Sequence, residues 1–94
     1  MEIVKTLVLT TAHVTEETAQ WLDSDPDQLV VYNKESGEDQ YGWFIPVYMA
    51  QEVLEEAIPE ELKEIIQFAD AHKCTWIMFD RDADEIDELP VFER

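Results

Sequence analysis

Asp80-Arg81-Asp82 follows directly on the apolar run Cys74-Thr75-Trp76-Ile77-Met78-Phe79. Two carboxylates at a strand end can hold Mg²⁺ or supply an aspartyl nucleophile. Phosphotransferases that use an Asp-x-Asp signature begin with it and build a much larger scaffold behind it. Here the run is the last substantial strand of the chain, so catalysis is not expected. Asp80, Asp82 and Asp84 also match positions 1, 3 and 5 of an EF-hand loop. Position 6 should be Gly and is Glu85, and position 12 should be Glu and is Val91. The EF-hand reading fails, and the expectation is a solvated acidic loop with no metal and no cofactor.

His13 and His72 are too far apart in sequence to give a local ligand spacing. His72 suits a helix C-terminus, and His13 reads as a loop residue after a strand. Tyr32, Tyr41, Trp43, Phe44 and Tyr48 could stack on bases if exposed on strands. Nucleic-acid binding also needs cations, and only Lys34 is close by. Direct nucleic-acid contact is therefore not expected. About half of the aromatics read as core, leaving one or two to anchor a protein interface.

The charge stands out more than any motif. The chain has 94 residues, with 23 Asp and Glu against 6 Lys and Arg and a formal net charge of −17. A small soluble domain needs a net charge of only about 2–8, and self-repulsion at higher density destabilises the compact state. The carboxylates cluster. Glu52, Glu55, Glu56, Glu60, Glu61 and Glu64 occupy helical positions left free by apolar residues, and Asp80, Asp82, Asp84, Glu85, Asp87 and Glu88 fill the loop after Phe79. A smaller group is Asp23, Asp25 and Asp27. Duplex DNA carries one charge per ~1.7 Å of axis, and a folded protein can present a similar field with carboxylates. The competing reading is the even acidic coat of a halophile.

Several elements must position these groups. Ile3 to Leu9 reads as a first, central strand because it is almost continuously apolar. Thr15 reads as the N-cap of a short helix ending near Leu22, with Glu16 and Glu17 in its first turn. Asp23 to Asp27 is a turn. Gln28–Tyr32 and Tyr41–Tyr48 read as a hairpin around a polar loop, with Pro46 marking an edge or an early end. Ala50, Val53, Leu54 and Ala57 make one apolar helical stripe, and Leu62, Ile65, Ile66 and Ala69 make a second. Pro59 separates them, placed to open the second helix, which should end near His72-Lys73. Cys74–Phe79 is the fourth strand, Asp80–Glu88 an acidic loop, and Leu89-Pro90-Val91-Phe92 a short edge strand.

The expected fold is α+β: a two-layer sandwich of about four mainly antiparallel strands with two to three helices on one face, and residues 1–94 form one domain. The single cysteine, Cys74, excludes an internal disulfide and fits a reducing compartment. Neither a signal-peptide pattern nor a membrane-length apolar run is present. The expected location is cytoplasmic, away from membranes, as a monomer or homodimer.

The run from Cys74 to Phe92, with its Phe-Asp-Arg-Asp and Leu-Pro-Val-Phe, resembles a family of small acidic bacterial proteins of uncharacterised function associated with plasmids, phages and integrated elements. Thr11-Ala12-His13-Val14-Thr15 and Tyr41-Gly42-Trp43-Phe44 are similar to its members as well. The family has no established catalytic residues. The resemblance implies a mobile-element setting, where blocking host restriction or CRISPR systems is useful. The expected function is a non-enzymatic, DNA-mimicking inhibitor whose carboxylates meet a basic, nucleic-acid-binding groove. The alternative is an acidic regulatory or interaction module that binds a basic partner without imitating DNA.

Overall fold

A computed structural model describes residues 1–24, 26, 29, 31–36, 39–51 and 58–92. The class is α+β. Strand β1 (Thr6–Leu9) leads through a 3-10 turn (Thr11–His13) into helix α1 (Glu16–Asp23). Strands β2 (Tyr32–Ser36) and β3 (Asp39–Pro46) form a hairpin, and helices α2 (Val47–Gln51) and α3 (Glu60–Ala71) precede strand β4 (Trp76–Asp80).

The sheet runs in the order β1-β4-β3-β2. It is mixed. β3 pairs antiparallel with both neighbours, but β1 pairs parallel with β4, Leu7 lying beside Ile77 and Leu9 beside Phe79. The parallel pair departs from the mainly antiparallel pattern expected. Its cause is α3, which carries the chain back so that β4 starts where β1 starts. The Thr75 N–H donates to the Lys5 carbonyl at 2.7 Å, and the Lys5 ammonium donates to the His72 carbonyl at 2.8 Å.

β1 is an edge strand, not the central one that its apolar run suggested. That run serves two faces, one of them open. Leu9 is fully buried, whereas Val8 stays 43% exposed. β2 begins at Tyr32, near where the expected strand ended, and the polar stretch expected to be loop supplies ladder residues instead. A sheet edge needs no apolar pattern to pair its backbone. Pro46 ends β3, but within the sheet rather than on an edge. Leu89–Phe92 forms no strand; the Phe92 N–H donates to the Ala12 carbonyl of the 3-10 turn at 2.8 Å.

Local chemistry sets the helix starts. The Thr15 hydroxyl accepts from the Thr18 N–H, and Glu16 and Glu17 occupy the first turn of α1. Pro59 is the N-cap of α3, one residue earlier than its expected place as first helical residue. Lys73, at φ 61°, turns the chain out of α3. The core joins Leu9, Trp43, Ile45, Ile77 and Phe79 of the sheet with Ala19 and Leu22 of α1, Ala50 of α2, and the Leu62-Ile65-Ile66-Ala69 stripe of α3. Trp43 and Phe79 meet edge to face at 5.9 Å, a geometry aromatic quadrupoles favour.

Candidate functional site: the acidic end of the sheet

Parallel β1 and β4 finish at the same end of the sheet. α1 starts there, two residues beyond the 3-10 turn, and the loop after Asp80 starts there too. α3 ends beside Lys5, at the opposite end, so its N-terminus also points to the end where β1 and β4 finish. Two sets of side-chain bonds fix this convergence. The Glu61 carboxylate accepts from the Thr15 N–H at 3.0 Å, the Thr15 hydroxyl at 2.8 Å and the Thr18 hydroxyl at 2.6 Å, joining the starts of α1 and α3. His13 is fully buried and ties the acidic loop to the 3-10 turn. Its Nδ1–H donates to the Pro90 carbonyl at 2.8 Å, and its Nε2 accepts from the Ile86 N–H at 2.9 Å.

The result is a gathering of carboxylates at one end. Glu60 and Glu64 on α3, Glu16 and Glu17 on α1, and Asp82, Asp84, Glu85, Asp87 and Glu88 in the loop are exposed there. Helix N-termini tolerate this charge because their dipoles offset part of it. Cations are sparse. Lys63 reaches Glu60 at 3.4 Å and Arg81 reaches Asp82 at 3.9 Å, while Lys5 and Lys73 lie at the other end, beside the C-terminus of α3. Exposed pairs of this kind contribute little.

Two residues of the acidic clusters seen in the sequence play different parts. Glu61 turns inward as a strut. Burial pushes its carboxyl up, but the hydrogen bonds from Thr18 and from the Thr15 backbone and hydroxyl outweigh that, and the net effect lowers it below the ordinary 4.5. Asp80 is half-buried and its Oδ1 accepts from the Asp82 N–H at 2.9 Å, so the Asp-x-Asp pair closes a turn. Glu52, Glu55 and Glu56 lie outside the described residues, as do Asp25 and Asp27. Asp23 accepts from the Trp43 indole N–H at 2.9 Å. Among the described residues, no three His, Cys, Asp or Glu side chains gather as a metal site.

A second surface holds Tyr32 and Phe44, two of the aromatics considered above for a protein interface, and adds Trp76, which that set did not include. Thr6 and Val8 of β1 are exposed, Phe44 of β3 and Trp76 and Met78 of β4 are half-buried between buried neighbours, and Tyr32 is 54% exposed beside them. Thr6, Tyr32, Phe44 and Trp76 line an open hollow of about 420 Å³. The period-2 pattern that marked these strands could have announced the face, since Trp76 and Met78 fall between Ile77 and Phe79.

Residues 6–94 match the model of the C-terminal domain of a family of unknown function, DUF5983. The chain belongs to this family. No curated protein and no solved structure matches it. No helix among the described residues is long and apolar enough to cross a membrane.

Proposed function

We propose that the chain is a non-enzymatic acidic inhibitor that mimics DNA and blocks the DNA-binding groove of a host defence system, a CRISPR effector or a restriction enzyme. The observation that carries this reading is the convergence of carboxylates from α1, α3 and the loop after β4 at one end of the sheet. A groove built for phosphates meets there a dense, nearly uncompensated negative field on a rigid support. Glu61 and His13 supply the rigidity, because they hold three separate segments in one register. The setting is cytoplasmic, on a plasmid, phage or integrated element. In this proposal the helices form one layer over a sheet whose other face stays open.

Steered association of this kind is fast and weakens steeply with salt. The test is competition. A defence nuclease is loaded with labelled duplex, and the protein is titrated in at two ionic strengths. The protein should displace duplex, and Asp82→Lys with Asp84→Lys should abolish displacement. Simultaneous binding of duplex and protein, without interference, would rule mimicry out.

The open aromatic face favours a second reading. There the chain is a regulatory module that docks a basic protein through Tyr32, Phe44 and Trp76, with its carboxylates only steering the approach. Charge reversal at Asp82 and Asp84 would then slow association but leave the complex intact, whereas Trp76→Ser would remove it.

A further inference from the structure

β1 leaves one edge of the sheet unpaired. The Lys5 carbonyl points at β4, accepting from Thr75. In a parallel ladder the direction alternates from residue to residue. Leu7 and Leu9 therefore also point at β4, and the N–H and C=O groups of Thr6 and Val8 point outward. Native edges are blunted by charge, proline or a covering segment. The opposite edge, β2, reads Tyr-Asn-Lys-Glu-Ser, with two charges. β1 reads Thr-Leu-Val-Leu, with none. Among the described residues nothing pairs with its outer side, and the adjacent Lys5 is engaged with His72.

We propose that this edge is a homodimer interface, with β1 of a second copy added antiparallel about a two-fold axis through Leu7. An axis through Leu7 pairs the two outward-pointing residues of β1, Thr6 and Val8, with each other. With the axis there, Thr6 faces Val8 of the other copy, both on the open side, as residues directly opposite across an antiparallel pair share a face. Leu7 then meets Leu7 of the other copy on the core side. Both Thr6–Val8 pairs are hydrogen-bonded pairs, giving four new backbone bonds. Leu7 is only partly buried against the core in the single chain, and its counterpart covers the remainder.

Charge selects a second copy in this orientation. The carboxylates gather where β1 ends, whereas where it begins Lys5 and Lys73 stand against Glu2 and Asp70. Antiparallel pairing sets the acidic end of each copy beside the charge-balanced start of the other and keeps the two acidic ends apart. A parallel or face-to-face arrangement offers no such relief. The pairing also continues the open face from one sheet into the next.

Sedimentation equilibrium and amide hydrogen exchange of the full chain test this together, in about 0.5 M NaCl to screen the net repulsion. The expected result is twice the monomer mass at high protein concentration. The Thr6 and Val8 amides should become protected as concentration rises. Val8→Glu, on a side chain already 43% exposed, should keep the fold by circular dichroism and weaken dimerisation at least tenfold, since it adds like charges across the axis. Three results would overturn the proposal: a monomer at every concentration up to about 1 mM, a dimer whose Thr6 and Val8 amides stay unprotected, or undiminished dimerisation of Val8→Glu. None of these touches duplex competition, which reads the acidic end alone.

Discussion

The two ends of this molecule's surface chemistry are built in opposite ways. At the acidic end, order comes from buried polar bonds: Glu61 on two threonines, His13 on two backbone groups. On the open face of the sheet, order comes from the strand ladder, and the side chains merely stand on it. The acidic end therefore depends on a few side chains that hold several segments. The open face should lose little when any one of its side chains is cut back. Changes at the first should disturb structure, and changes at the second should disturb only contacts.

The largest effect is expected where the two regions meet. Gly42 opposes Asp80 at the acidic end of β3, with φ at +149°. A Cβ there would lie 1.7 Å from the Phe79 carbonyl oxygen. Gly42→Ala should cost more than about 4 kcal/mol, or prevent folding, because backbone rather than a flexible side chain must give way. Chemical denaturation measures it. A loss under 1 kcal/mol would mean that β3 and β4 can part freely at this end.

His13→Ala comes next. It leaves the Ile86 N–H and Pro90 carbonyl without their partner and opens a cavity, for about 3 kcal/mol. The local signature is sharper than the total: hydrogen exchange at Ile86 and Phe92 should rise well above that at Ile77. Uniform acceleration throughout the chain would show that the loop is not held separately by His13.

Glu61 gives a smaller effect with a pH signature. Its folded-state pKa is lowered, so its contribution is fully present above the unfolded-state value and disappears as pH falls through the folded one. Wild-type stability should therefore drop as pH falls below 4.5, partly through this group. Glu61→Gln should cost about 1 kcal/mol at neutral pH, after discount for partial exposure. The difference between the two proteins should shrink in acid. A difference that stayed constant down to acid pH would remove Glu61 as a charged strut.

On the open face, Phe44→Ser or Trp76→Ser should cost only about 1 kcal/mol, since each is already partly exposed. If either unfolds the chain, the face is part of the core and the contrast between the regions collapses.

Much of the frame was legible in the residues. The Thr15 cap, the Leu62-Ile65-Ile66-Ala69 stripe, the break at Pro59 and the aromatic β4 all carry local signals, and all appear. What escaped was non-local. His13 bonds residues 73 and 77 positions away, and Glu61 bonds Thr15 across 46. No spacing rule links such positions. Glu61 did leave one hint, since it sits four residues before Ile65 on the border of the apolar stripe. The edge position of β1 was hidden for another reason: a continuous apolar run reads as burial on both faces, but here one face is left open. The acidic clusters were legible as sequence. Their meeting at one end was not, because it depends on β1 and β4 running parallel.

That meeting is the central claim, and paramagnetic relaxation by small cosolutes reads it directly. Amide relaxation is compared for a cationic and a neutral nitroxide of the same size at moderate salt. Counter-ion enrichment should raise the cationic effect selectively at Glu16, Glu17, Glu60 and Asp82 through Glu88. At Thr6, Val8, Trp76 and Met78 the two cosolutes should act about equally. Equal enrichment over all exposed amides would contradict the account, leaving an even acidic coat in place of a polarised surface.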